Sequence, residues 1–287
     1  MDKFKRNERL AVMTKILSDA PNRIFTLSFF CEMFGAAKST VSEDASILAG
    51  IMQDFKLGTL ETVTGAAGGM RYRPLVQEGE GRAFLEGICE KLRSPGRVLP
   101  GGFLYLSDIL SMHELVWKMG IIIAGQFYDA APDFVLTMET KGIPVALMTS
   151  RALGVPLVIA RRSSKVYEGS AVNINYVSGS DHHIETMSLS RRAVNEGQRA
   201  LIVDDFLKGG GTAKGMIDLM AEFDVEVVGT AFVMSTENPN QRCIRNEKAL
   251  MTMNVTNDPA SLTVRPAPWL RELAGEGAVC AEQEGTN

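Results

Sequence analysis

Asp204 and Asp205 stand side by side at the end of the apolar run Ala200-Leu-Ile-Val203, and Phe206-Leu207-Lys208-Gly209-Gly210-Gly211-Thr212 follows them. Four apolar residues predict a buried parallel strand that delivers two carboxylates at its carboxyl end, where open parallel sheets bind their ligands. A glycine-rich turn lets backbone N–H groups converge on a phosphate. A helix opened by Thr212 adds the partial positive charge of its N-terminus. Adjacent carboxylates can accept hydrogen bonds from the two hydroxyls of a ribose, so the string as a whole asks for a ribose 5-phosphate. Asp-Asp or Gly-Gly-Gly alone marks no more than a solvated acidic pair beside a turn. Neither a Gly-x-Gly-x-x-Gly dinucleotide turn nor a Walker Gly-x4-Gly-Lys-Ser/Thr occurs at this turn.

A second strand-turn-helix string, Phe134-Val-Leu-Thr-Met-Glu139-Thr140-Lys141-Gly142-Ile143-Pro144, places Pro144 well for a first helical turn. Alone it is an ordinary strand–helix connection. Beside the first string it is a second anion-binding turn. The Asp204–Thr212 string resembles the signature of the type I phosphoribosyltransferase fold. That resemblance implies that the acidic pair holds the ribose hydroxyls of phosphoribosyl pyrophosphate (PRPP), that the glycine turn holds its 5-phosphate, and that Thr140, Lys141 and Gly142 cradle its pyrophosphate. It also matches Arg161, Arg162, Lys165 and Tyr167 to the start of the loop that covers PRPP, with Lys165 as a ligand. Tyr105 and Phe206 could line the base pocket, with core packing as the alternative for each. The chain departs from catalytic members at Lys208-Gly209, where they carry a small pair such as Ala-Thr.

The elements that must position these residues divide the chain in two. In residues 1–74, Leu10, Met13, Ile16 and Leu17 predict a helix over Glu8–Ala20 that Pro21-Asn22 stops. Thr26 can cap a second helix burying Leu27, Phe30 and Phe34, with Gly35 turning its end. Thr40 and Glu43 fit a capping box for a third, whose apolar face is Val41, Ile47, Leu48 and Ile51. Leu60–Val63 and Met70–Arg73 then read as a two-stranded ribbon around Thr64-Gly-Ala-Ala-Gly-Gly69. Residues 75–102 read as a linker with a helix around Ala83–Leu92 and Pro-Gly punctuation. From Ser107, apolar runs at Phe134–Met138, Leu157–Ala160, Ala200–Val203 and Val225–Val233 alternate with helical patterns at Pro144–Leu153 and Thr212–Glu222, which predicts a parallel sheet flanked by helices. Val172–Val177 and Ile184–Leu189 look like a hairpin excursion. Residues 275–287 look like a frayed tail.

These pieces narrow the resemblance. Gly101-Gly-Phe-Leu-Tyr-Leu106, Thr140–Pro144, Glu168–Ser180, Thr186-Met-Ser-Leu189 and Asp204–Thr212 are similar to the purine operon repressors of Gram-positive bacteria, from about residue 1 to about residue 250. The implied architecture is α/β, with an N-terminal winged-helix DNA-binding domain (1–74) followed by a type I phosphoribosyltransferase-like effector domain (75–287), a parallel sheet with flanking helices and a hairpin insertion. A winged helix sends its third helix into the major groove. That helix would enter with Lys38, Ser39, Thr40 and Ser42, with Glu43 and Asp44 facing away. Lys3, Lys5, Arg6 and Arg9 could meet phosphates from the amino-terminal arm, and Arg71 and Arg73 from the wing.

The charge pattern agrees with this division. The net charge of −4 hides a head, residues 1–74, with ten basic against eight acidic residues, on an acidic body. With 45% hydrophobic and 22% charged residues and a mean hydropathy of +0.03, the composition is that of an ordinary globular chain. The opening MDKFKRNERL is charged where a signal peptide needs an apolar core, and no window reaches the ~20 apolar residues of a membrane span, so a cytoplasmic protein without membrane contact is expected. Cys31, Cys89, Cys243 and Cys280 are scattered, and His182-His183 falls at a hairpin tip, so neither a metal site nor a disulfide framework is expected. Trp117 and Trp269 read as packing residues.

The function expected is a homodimeric repressor that grips operator DNA upstream of purine genes and is released by PRPP, alone or with Mg2+, in a domain without turnover and with no required cofactor. Two alternatives stand beside it. One is a working purine phosphoribosyltransferase whose amino-terminal domain serves dimerisation. The other is a regulator that senses another purine nucleotide, such as guanosine tetraphosphate.

Overall fold

The computed structural model describes residues 4–270 apart from 66–67, 78, 95, 100–102, 164–168, 179–182, 238–242, 245 and 255–260. The expected ligands Lys3 and Lys165 and the expected frayed tail lie outside the described residues.

The head is three helices and a ribbon. Helix α1 (Arg6–Asp19) starts two residues before the sequence pattern indicated, where the Lys5 backbone N–H donates to Glu8 Oε2 across 2.7 Å. Helix α2 (Leu27–Phe34) is capped as expected: Thr26 Oγ1 accepts from the Phe29 N–H, and Gly35 closes its end in the left-handed region. Helix α3 (Lys38–Asp54) differs from expectation. Ala37 is its N-cap, without a side-chain cap, and Thr40 already sits inside the first turn. Its buried stripe is Val41, Asp44, Leu48 and Met52, whereas Ile51, expected in the core, is 39% exposed. An aspartate thus occupies a position where helical periodicity asks for an apolar residue. Strands β1 (Thr59–Val63) and β2 (Gly69–Arg73) pair antiparallel, Glu61 opposite Arg71. Phe25 exchanges two backbone hydrogen bonds with Met70, and this tie closes the head around Met13, Leu17, Phe30, Phe34, Val41 and Leu48.

Helix α4 (Glu80–Leu92), the short pair β3 (Val98–Leu99) and β4 (Phe103–Leu104), α5 (Ser107–Leu110) and α6 (His113–Gly125) lead into the body. There β5 (Phe134–Met138), α7 (Ile143–Leu153), β6 (Leu157–Ala160), a hairpin of β7 (Ala171–Val177) and β8 (Ile184–Ser190), β9 (Arg199–Leu207), α8 (Gly211–Ala221), β10 (Glu226–Thr236), β11 (Lys248–Met253) and β12 (Val264–Pro266) follow in order. The six-stranded sheet runs β12-β11-β10-β9-β5-β6, parallel except for β12. Strand β9 shows how it is buried on both faces. Leu201 and Val203 pack in the cluster with α4, α5, α6 and α7, and Ala200 and Ile202 in the cluster with α8 and the hairpin.

The chain leaves β5 through α7 to one side of the sheet and leaves β9 through α8 to the other. The adjacent carboxyl ends of β5 and β9 therefore form the topological switch point at which such sheets open a ligand crevice. Both motif strings end there. Helix α6 and the strands β11 and β12, which the sequence pattern did not single out, complete the sheet edge and one of its covering layers.

Candidate functional site

Strand β9 runs past the acidic pair to Leu207, so the carboxylates lie within the strand and not beyond it. Successive strand residues face opposite ways. Asp204 is 7% exposed and lines a pocket of about 160 Å³ with Phe206, Leu207, Lys208, Gly209, Gly210, Gly211 and Thr212. Asp205, half-buried, is not among the lining residues, and its N–H donates to Asp204 Oδ1 across 3.0 Å. Burial, and then the neighbouring Asp205 charge, push the Asp204 carboxyl well above its usual range. Asp205 is raised as well, chiefly by burial. Two carboxylates this close in a dry setting resist ionising together, which suits a site that receives hydroxyl donors or a cation.

The glycine turn leads into α8 one residue earlier than expected. Gly210 caps α8 at φ 83°, a left-handed value that L side chains avoid, and Gly211 rather than Thr212 is the first helical residue. Gly210, Gly211 and Thr212 thus put the open N-terminus of α8 against the pocket. The turn is held from behind, because the Cys243 N–H donates to the Gly209 carbonyl and Thr236 Oγ1 to the Lys208 carbonyl.

The second turn arrives through a close approach. Gly142 is the N-cap of α7, and a Cβ on it would stand 2.0 Å from Asp204 Oδ1 and 2.6 Å from Thr137 Oγ1. Only glycine lets α7 begin there. The Glu139–Thr140 peptide is cis. Thr140 and Lys141 are exposed beside this contact, and the Lys141 charge acts on Asp205. Two hydroxyls at the site, Thr137 Oγ1 and Ser178 Oγ, are buried without a hydrogen-bond partner.

The hairpin supplies lining residues that the sequence analysis did not assign, Ser178 and Glu185. Glu185 faces Tyr176 across β7 and β8 and accepts from its hydroxyl (2.6 Å) and from Arg162 Nη1 (2.8 Å). These donors, Tyr176 foremost, hold the Glu185 carboxyl below its usual range. Burial and this carboxylate push Tyr176 up to about 12. The alternation of Val172–Val177 and Ile184–Leu189 announced a hairpin; its folding back over the pocket had no local signal. Tyr105 is not among the lining residues. It is 45% exposed, with its backbone tied to Arg97, so it belongs neither to the pocket nor to the core.

In the head, Lys38, Ser39 and Ser42 are exposed along the start of α3, and Thr40 is half-buried. Lys5 is exposed at the start of α1, and Arg6, 53% exposed, is paired with Glu43 at 2.9 Å. Asp44, expected to face away from the groove, is buried in the head, and Glu43 is exposed and paired with Arg6. Two expected DNA contacts are turned inward. Arg9 is 7% exposed and grips Asp44 through Nε (2.6 Å) and Nη2 (3.1 Å), with Nη1 on the Phe4 carbonyl. Arg73 donates to Glu61 and to Asn22 Oδ1, and its guanidinium lies over the Tyr128 ring of the body. Arg71 shares Glu61 from the other side at 2.8 Å. Both inward arginines look like surface cations in sequence because their partners lie 35 and 12 positions away.

Among the described residues no helix is long and apolar enough to cross a membrane, and no group of three or more His, Cys, Asp or Glu residues could hold a metal ion. Trp117 and Trp269 pack partly buried, under Arg151 and Lys248 respectively.

Residues 5–74 match the family model of the bacterial purine repressor N-terminal domain, and residues 109–260 match that of the phosphoribosyl transferase domain. The purine biosynthesis transcriptional repressor PurR of Bacillus subtilis is 42% identical over 255 residues, covering 89% of this chain and 90% of that protein. The purine biosynthesis transcriptional activator PurR of Lactococcus lactis subsp. lactis is 40% identical over 251 residues, covering 88% and 93%. A xanthine phosphoribosyltransferase of Limosilactobacillus fermentum is 35% identical over 150 residues, covering 50% of this chain and 76% of the enzyme.

Proposed function

The chain belongs to the bacterial purine repressor family, a repressor head joined to a phosphoribosyltransferase domain, and from that premise we propose that it represses purine biosynthesis genes as a cytoplasmic homodimer whose hold on operator DNA is loosened by PRPP. The observation that supports the effector most directly is the meeting of two anion turns at one carboxylate, with Gly142 pressed on Asp204 and the Gly209–Thr212 turn lining the same pocket. Two anion turns flanking one carboxylate suit a ligand with a ribose between two phosphate groups. Asp204 and Asp205 accept the ribose hydroxyls, the N-terminus of α8 receives the 5-phosphate, and Thr140, Lys141 and Gly142 receive the pyrophosphate. A Mg2+ accompanying PRPP would be met by these carboxylates and by the ligand's own oxygens.

On the operator side, the exposed start of α3, with Lys38, Ser39 and Ser42, is offered to the major groove, and Lys5 and Arg6 to flanking phosphates. Release follows from linkage. If PRPP binds better to the form that does not grip DNA, it weakens DNA binding by the same factor by which DNA weakens PRPP binding.

The domain holds a substrate-like ligand without turning it over, because uniform binding does not accelerate chemistry. The enzyme relative favours one further reading, a working phosphoribosyltransferase. A titration of a purine-gene upstream fragment with and without PRPP, alongside a pyrophosphate-release assay with purine bases, tests both. The proposal expects weaker DNA binding with PRPP and no release of pyrophosphate. DNA binding indifferent to PRPP refutes the effector assignment, and turnover refutes the non-enzymatic one. Transcription of the purine genes after deletion of this protein should rise; a fall would mean activation, as named for the Lactococcus relative.

A further inference from the structure

The head meets the body at the carboxyl end of α7. In the turn between α1 and α2, Asn22 donates from Nδ2 to the Leu153 carbonyl across 2.8 Å. The next body residue, Gly154, caps α7 at φ 69°, and a Cβ there would stand 2.5 Å from the Pro21 carbonyl oxygen. Asn22 is fixed within the head in turn. Its N–H donates to the Tyr72 carbonyl at 2.7 Å, and its Oδ1 accepts from Arg73 Nε at 3.0 Å. On the body side, the Tyr128 hydroxyl donates to the Pro74 and Ala152 carbonyls while its ring lies under Arg73.

The other end of the same helix is the candidate effector site, because α7 begins at Gly142 against Asp204. Eleven residues separate the two contacts, about 16 Å at 1.5 Å per residue. The helix is also held from the side. A Cβ on Gly120 of α6 would stand 2.7 Å from the Met148 backbone, so the two helices are in backbone contact. A rod clamped along its length moves as a unit, since close-packed interiors do not yield locally.

We propose that α7 carries the state of the effector site to the DNA-binding head, with Asn22 and Gly154 as the positioning residues at its far end. The inference rests on the effector assignment above for the natural occupant, but the link itself concerns the Asp204 side of α7 and is testable without any ligand. Position between two sites is not coupling, so the test must measure coupling.

The full-length protein carrying Gly142→Ala, Asn22→Gly or both is titrated with a purine-gene upstream fragment in the absence of effector. Asn22 has φ 59°, so glycine keeps the turn and removes only the side-chain amide. Substitutions this far apart without a shared partner add to within about twofold. The inference expects Gly142→Ala to change operator affinity by more than threefold, and the double variant to depart from the product of the single effects by more than twofold. Additivity within twofold, or an operator affinity indifferent to Gly142→Ala, overturns it. If Gly142→Ala does not melt cooperatively, Asp204→Asn replaces it in the cycle under the same criteria. A PRPP titration of the parent separates the two claims. Indifference to PRPP there removes the effector assignment and leaves the cycle to decide the link.

Discussion

Arg9 and Asp44 form a bidentate ion pair inside the head, Nε to Oδ2 at 2.6 Å and Nη2 to Oδ1 at 3.1 Å, with Asp44 fully buried. The pair joins α1 to α3, the helix proposed to enter the major groove, and, through Nη1 on the Phe4 carbonyl, to the amino-terminal arm. Removing Arg9 leaves the buried Asp44 carboxylate with only the more distant and exposed Arg6, whose Nε is 3.6 Å away. Arg9→Ala should cost about 3 kcal/mol of head stability, whereas Arg9→Met with Asp44→Leu should recover most of it. Thermal melting of the two variants checks this. Equal losses would mean that the pair orients α3 rather than merely being satisfied.

Operator affinity should fall steeply with salt, and individual cations should differ in their share. Lys38→Ala should flatten the slope of log affinity against log salt by about one released ion. Arg73→Ala should leave the slope unchanged, because that guanidinium is held by Glu61, Asn22 and the Tyr128 ring. A flatter slope in the Arg73 variant would place the seam against DNA.

Burial raises the Asp204 carboxyl above its ordinary 3.8, so the folded protein holds this proton more tightly than the unfolded chain. Stability therefore falls as pH rises from 3.8 through the folded value, above which the site carries the full penalty. Asp204→Asn should raise the melting temperature of the ligand-free protein at pH 7.5, with the gain shrinking as pH falls towards 4. A variant less stable than the parent at pH 7.5 would mean that the carboxylate is satisfied as an ion.

The string Asp204–Thr212 was legible because strand, turn and helix are local, and their chemistry depends on residues next to one another. The same holds for the Thr26 cap, the Gly35 turn and the hairpin. What escaped the sequence depends on partners far along the chain. Arg9 and Arg73 carry the same charge as solvated arginines, and only the fold brings Asp44 and Tyr128 to them. Ile51, expected on the apolar face of α3, is exposed while Asp44 is buried in that stripe, because a paired carboxylate can sit where the periodicity asks for an apolar residue. Ser178 and Glu185 entered the pocket only when the hairpin folded over it.

Holding PRPP should not produce chemistry. Incubation of the full-length protein with PRPP and adenine, guanine, hypoxanthine or xanthine should release no pyrophosphate above the protein-free rate, since catalysis needs an oriented base and interactions specific to the transition state. Release at enzyme-like rates with any of the four would make the chain a transferase that also binds DNA.

The most direct measurement is a paired operator titration of the parent and the Asp204→Ala, Asp205→Ala double variant across a PRPP series. A hydrogen bond to a charged acceptor is worth ~1.5–3 kcal/mol, so loss of both carboxylates should weaken PRPP by about two orders of magnitude or more. A ligand that no longer binds differentially cannot shift the equilibrium. The account predicts that the variant binds operator DNA without PRPP and stays bound at PRPP concentrations that release the parent. Release of the variant at the parent's PRPP concentration would contradict it.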